Sequence, residues 1–139
     1  MSDLCLIDLS GVYWEKWHAA AGYDANAAFD WTMDRVRELS AGHARAIVCI
    51  DAGHDHRAAI HPGYKANRPP KLEAAVAQLA RVVRSLESEG HTCARSPGYE
   101  ADDVIGTLAI QAVKRGLSVT VASADKDMLQ LVDHDVTVV

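Results

Sequence analysis

The sequence has no apolar run longer than a β-strand, so nothing in it reaches the length of a membrane-spanning helix. Met1-Ser2-Asp3 leads directly into Leu4-Cys5-Leu6-Ile7, with neither a basic segment nor a small-residue cleavage pattern. This argues against a secretory signal and makes a cytoplasmic location the expectation. Cysteine is scarce. Cys5, Cys49 and Cys93 are odd in number, form no C-x-x-C pair and sit in apolar or strand-like stretches, so they read as reduced core thiols. No linker, internal repeat or low-complexity tract divides the chain. Its 139 residues are about one domain's worth, able to bury roughly two thirds of the unfolded surface.

A net positive charge is also missing. The chain has 14 Lys and Arg against 19 Asp and Glu, a balance of -5 that by itself speaks against a nucleic-acid partner. The average conceals a division. Residues 56–72 contain Arg57, Lys65, Arg68 and Lys71 and no acid, whereas seven carboxylates gather in a few short motifs. Without those seven, 12 acids would face 14 bases.

Leu4–Ile7 ending in Asp8, and Ala46–Ile50 ending in Asp51, are continuous apolar runs of strand length that suit strands buried on both faces. Between them Ala25, Phe29, Thr32, Val36 and Leu39 recur at helical spacing, with Gly42 where a helix would end; together these make a βαβ unit. Residues 72–89 repeat the helical pattern through Leu72, Val76, Leu79, Val83 and Leu86, after Pro69-Pro70 and before Gly90. A short strand is predicted at His91–Ala94. A third long helix follows, carrying Val104, Ile105, Leu108, Ala112 and Val113 and ending at Gly116. Leu117–Val121 and Val136–Val139 complete five predicted strands. Strands alternating with helices predict an α/β fold, a mostly parallel central sheet with right-handed crossovers and helices on both faces. The long irregular stretch from Ala52 to Pro70, rich in Gly, His, Pro and basic residues, reads as a lid or arch.

Ligands of open parallel sheets bind at the carboxyl ends of the strands, and this topology delivers acids there. Asp8 and Asp51 end the first two strands, Glu100, Asp102 and Asp103 open the helix after the third, and Asp125 and Asp127 follow the fourth. A single Asp at a strand end is ordinarily a cap or turn residue. Four separate segments putting acids on one edge is a pattern that capping does not explain. So many carboxylates require compensating cations. Oxygen donors without Cys or His point to Mg²⁺ or Mn²⁺ rather than Zn²⁺, and the surplus of acids points to two ions. Two-metal carboxylate sites act on phosphodiesters. The basic stretch supplies the complement: Lys65 and Arg68 to hold phosphates, with Arg57 and Lys71 nearby, and Tyr64 to stack on a base. His54, His56 and His61 lack a partner motif and read as surface or phosphate-adjacent residues. Asp133 and Asp135 read as turn residues, and Trp14 and Trp17 as core packing.

The segments GYEADDVIGTLA and ASADKDMLQLV resemble the central acidic signature of the 5′ nuclease family, which includes the 5′-3′ exonuclease domain of bacterial DNA polymerases, phage 5′ nucleases and flap endonucleases. LCLIDLSGVYWEKWHAA and IDAGHDHRAAIHPGYKANRPP match the family's first strand and its second Asp followed by Tyr-Lys-x-x-Arg-x-Pro. The likeness runs from about Leu4 to the C-terminus. It implies a PIN-like domain over residues 1–139 with an arch-like segment at about 52–70. It also implies that Asp8, Asp51, Glu100, Asp102, Asp103, Asp125 and Asp127 bind metal. Lys65 and Arg68 match the catalytic basic residues, and Asp102 and Asp125 are the acids on which catalysis is expected to depend. Tyr64 matches the neighbouring aromatic and Arg57 a further basic position. The reaction implied is hydrolysis of DNA or RNA phosphodiesters at or near a 5′ end, leaving a 5′ phosphate. Expected substrates are 5′ ends, flaps and overhangs, as in DNA replication and repair.

Family members continue into a helix-three-turn-helix module that grips duplex DNA and supplies a further pair of metal-binding Asp residues, whereas this sequence stops at Val139. The corresponding expectation is a second metal site short of ligands, weak duplex grip, and activity that is low or dependent on a protein partner or a homo-oligomer. Two other readings compete. One is a nucleic-acid-binding subunit that keeps the nuclease fold with little activity. The other is a PIN-type ribonuclease, which the long basic stretch disfavours. A receiver domain is discarded, because it needs an acid pair after its first strand and a Lys after its fifth.

Overall fold

A computed structural model of the chain describes residues 2–21, 23–24, 26–53, 73–123 and 136–139. The elements run β1 (Leu4–Asp8), α1 (Leu9–Ala19), α2 (Ala27–Ala41), β2 (Arg45–Cys49), α3 (Glu73–Ser88), β3 (Thr92–Ala94), α4 (Ala101–Lys114), β4 (Val119–Ala122) and β5 (Val136–Val138). The five strands form one sheet in the order β3-β2-β1-β4-β5, and every pairing is parallel. The mostly parallel sheet flanked by helices is the fold the sequence predicts.

β1 is central and buried along its whole length. Its side chains alternate between two cores. Cys5 and Ile7 pack with α1, α2 and α3 on one face, while Leu4 and Leu6 pack with α4 on the other. Fully burying one such aliphatic side chain contributes about 1.5–3 kcal/mol, which is why the strand tolerates so continuous an apolar run. Helices α3 and α4 end before Gly90 and Gly116, whose φ values of +90° and +79° suit only a residue without Cβ. Among the described residues no helix is long and apolar enough to cross a membrane.

Three details depart from the sequence reading. Leu9–Ala19 is a helix that the aromatic-rich run does not announce, since only Leu9 and Tyr13 of it are fully buried. On α3 the buried stripe is Ala75, Gln78, Val82 and Leu86, and Val76 is 48% exposed. The cause is Tyr13, whose hydroxyl donates to Gln78 Oε1 at 2.8 Å and to the Ala75 carbonyl at 3.0 Å, turning a polar residue inward. β4 also begins two residues later than predicted, at Val119 opposite Leu4. Ala25, Leu72 and the arch-like stretch beyond Gly53 lie outside the described residues.

Candidate metal centre

The connections from β1 lead toward β2 and β3, while β4 returns to the opposite side of β1. The strand order therefore reverses between β1 and β4, the place where open α/β sheets bind ligands beyond the carboxyl ends of their strands. Asp8 ends β1 at this point, and Ser123 lies just past the end of β4. The Ser123 hydroxyl donates to Asp8 Oδ2 at 3.0 Å, bridging the reversal.

Asp8 is only 7% exposed and is also the N-cap of α1, its Oδ1 accepting the Gly11 N–H at 3.2 Å. Gly11 allows this closeness. A Cβ at that position would lie 2.8 Å from Asp8 Oδ2.

Asp51 sits two residues past β2, where extended pairing continues beyond the strand itself. Ile50 donates to the Ala94 carbonyl at 2.9 Å, Ala52 to the Tyr99 carbonyl at 2.9 Å, and Gly98 to the Ala52 carbonyl at 2.8 Å. These bonds carry Asp51 to the start of α4, where its Oδ1 accepts the Ala101 N–H at 2.6 Å. A carboxylate at that end of the helix satisfies an otherwise orphaned donor and meets the positive end of the helix dipole.

Glu100, the N-cap residue of α4, is 6% exposed, and its backbone N–H donates to Asp103 Oδ2 at 3.2 Å. The turn so formed brings one carboxylate oxygen each of Asp51, Glu100 and Asp102 within 4.8 Å of one another. Each such pair of charges repels by roughly 3–4 kcal/mol at an effective dielectric of 20, whereas the helix end returns about 0.3–1 kcal/mol per group. The donor set is all carboxylate oxygen and fits a hard divalent cation.

Of the sequence-predicted acids, Asp51, Glu100 and Asp102 thus converge. Asp8 stands at the neighbouring strand end, and Asp103 serves as the reciprocal cap. Asp125 and Asp127, with Arg57, Tyr64, Lys65, Arg68 and Lys71, lie outside the described residues, as do His54, His56 and His61. The sequence reading missed Gly11 and the bond from Ser123. Their signals were a glycine three residues after a strand-ending Asp, and a hydroxyl at the end of the strand that must lie beside β1. Trp14 and Trp17 pack against the core, as read from the sequence. The cysteines are free thiols. Burial pushes Cys5 up to about 11 and Cys49 up to about 12, the Asp8 carboxylate adding to the latter, so neither is a thiolate near neutral pH.

Residues 3–139 match the family described as the 5′-3′ exonuclease, N-terminal resolvase-like domain. DNA polymerase I of Mycobacterium tuberculosis is 35% identical over 127 residues, 89% of this chain and 14% of that protein. The thermostable DNA polymerase I of Thermus thermophilus is 39% identical over 119 residues, 84% of this chain and again 14% of the relative. The chain thus spans a small fraction of the curated relatives it matches. Among solved structures, the bacteriophage T5 5′-exonuclease with bound zinc superposes with a TM-score of 0.72 at 20% identity, over 97% of this chain and 54% of that one. A T5 flap endonuclease in a pseudo-enzyme-product complex with DNA and metal ions gives 0.73 at 19% identity, over 97% and 53%. At such identities the likeness is one of fold.

Proposed function

The chain belongs to the family of 5′-3′ exonuclease N-terminal, resolvase-like domains, and from that premise we propose that it is a PIN-like nuclease domain hydrolysing DNA phosphodiesters at or near 5′ ends with divalent metal. The observation that carries this reading is the convergence of Asp51, Glu100 and Asp102, drawn from segments fifty residues apart, onto one small volume. The T5 flap endonuclease crystallised with DNA and metal ions supports carrying both ligand classes over.

In this proposal Asp51, Glu100 and Asp102 hold a first Mg²⁺ or Mn²⁺. Asp8, Asp103, Asp125 and Asp127 complete the acid set and would serve a second ion. Bound there, the ions supply charge neutralisation on the phosphodiester and an acidified water. The remaining work falls to the chain's own residues. Lys65 and Arg68 stabilise the charge that develops on the phosphoryl oxygens as the 3′ oxygen departs, leaving a 5′ phosphate. Arg57 and Lys71 hold flanking phosphates against the acidic edge, and Tyr64 stacks on a base. Asp8 is fixed in place by Gly11 and Ser123.

The test is cleavage of 5′-flap and 5′-overhang DNA in Mg²⁺, in Mn²⁺ and in chelator. Cutting is expected with either metal and not in chelator, and Asp102→Ala or Asp125→Ala is expected to abolish it. Cutting that survives both substitutions would refute the assignment. DNA binding without cutting in either metal would instead favour a binding subunit built on the nuclease fold.

A further inference from the structure

Beside Asp103, between the segment that leaves β3 and the first turns of α4, lies a cleft of about 630 Å³, within the range of sites that hold small molecules. Its lining includes Tyr99, the apolar Val104 and Leu108, and the hydroxyl-bearing Ser96 and Thr107. The charges on its walls are balanced. Asp103 and Arg95 both line it, and the Arg95 guanidinium is already bonded to Glu87 Oε1 at 2.6 Å. A phosphate gains little from such a place. A flat, uncharged heterocycle gains an aromatic face, aliphatic walls and hydrogen-bonding groups at its edge.

The position of Tyr99 ties the cleft to the site. Tyr99 precedes Glu100 in the chain, and its carbonyl accepts the N–H of Ala52, the neighbour of Asp51. The ring is therefore carried on backbone held between two of the three converging carboxylates. Asp103, also in the lining, is bonded to the Glu100 N–H.

We propose that this cleft seats an unpaired nucleobase, the one on the nucleotide adjoining the phosphodiester that is cut, with Tyr99 as its stacking partner. The proposal rests on the nuclease reading and adds to it that the strand is read one base away from the reacting phosphate.

The experiment is single-turnover cleavage in Mn²⁺ by the wild-type protein, Tyr99→Ala and Tyr99→Phe. The substrates are 5′-flap DNA with an intact strand and with an abasic residue on either side of the cut. Tyr99→Ala is expected to slow the intact strand about 5- to 150-fold, the range of one lost base stack, and Tyr99→Phe to restore the rate. An abasic residue at one of the two positions should slow the wild-type protein similarly and remove the effect of Tyr99→Ala. Equal slowing of intact and abasic strands by Tyr99→Ala overturns the proposal. Because Tyr99→Ala could also loosen the fold, Thr107→Trp, which fills the cleft from an exposed position, is a second variant; an unchanged rate on the intact strand overturns the proposal equally.

A binding readout separates this idea from the nuclease reading. With chelator present, 2-aminopurine at the same position should lose fluorescence on binding the wild-type protein and keep it with Tyr99→Ala. Full fluorescence with both proteins overturns the cleft assignment whether or not any strand is cut, while quenching without cutting in metal overturns only the nuclease reading.

Discussion

Replacing Gly11 by alanine places a Cβ 2.8 Å from Oδ2 and 3.2 Å from Cγ of Asp8, so the carboxylate must retreat by about 0.5–1 Å to regain ordinary contact. The retreat takes it from both donors, the Gly11 N–H at 3.2 Å and the Ser123 hydroxyl at 3.0 Å. Gly11 is the third residue of α1, where alanine is favoured over glycine by about 0.8–1 kcal/mol. That gain roughly offsets the lost cap, which costs about 0.5–2 kcal/mol. The weakened Ser123 bond then sets a net destabilisation of about 1–2 kcal/mol. Metal binding should suffer more, since displacing the supports of a metal-ligating group typically costs 10- to 100-fold in affinity. Calorimetric titration with Mn²⁺, on protein shown by near-ultraviolet circular dichroism to be folded, measures this directly, with Ser123→Ala as the variant that removes one donor without the steric push. A Mn²⁺ affinity within twofold of wild type for Gly11→Ala would refute the reasoning, because the placement of Asp8 would then be irrelevant to the ions.

Asp103→Asn keeps an acceptor for the Glu100 N–H and removes one negative charge, so its melting midpoint in chelator should equal or exceed that of the wild type; a lower midpoint contradicts the repulsion argument. Asp103→Ala removes the acceptor as well, for a loss of about 1 kcal/mol and a midpoint lower by roughly 3 °C. Lys65→Ala should lower turnover more than ground-state binding, and equal losses in both would make Lys65 a phosphate clamp. Cys5 and Cys49, pushed up to about 11 and about 12 chiefly by burial, should resist a thiol reagent at pH 8 and react once the protein is unfolded in urea, whereas the half-buried Cys93 is the native thiol open to it; rapid native labelling mapped to Cys5 or Cys49 would contradict their burial. Their raised values also set a sign: the stability they contribute is complete below the unfolded thiol value of about 8.5 and is lost as pH rises toward 11–12, so the melting midpoint should fall through that alkaline window.

The sheet was legible because strands buried on both faces must be apolar without interruption, and Leu4–Ile7 could hardly be anything else. That Asp8, Asp51, Glu100, Asp102 and Asp103 stand at strand ends or at the helix start beyond them was legible, because parallel topology sends strand ends to one edge. Which of them meet was not legible. That depends on the backbone bonds linking Ala52 to Tyr99 and Gly98, which leave no pattern in side-chain chemistry. On α3, Leu79, Val83 and Leu86 face the core as read, and one position was misread for a related reason: apolarity alone places Val76 inward, whereas the hydroxyl of Tyr13, 65 residues earlier, draws in Gln78. The parts played by Gly11 and Ser123 were not legible because each matters through a single atom, a missing Cβ and one hydroxyl oxygen.

The gathering of Asp51 with Glu100 and Asp102 has a bearing on synthesis. While the polypeptide leaves the ribosome, Asp51 emerges about fifty residues before its two companions, and its seat against the Ala101 N–H cannot form until they have followed. Half-made protein therefore offers one acid of the three. The trio is thus one of the last features of the domain to be assembled, complete only when the start of α4 has met the end of β2.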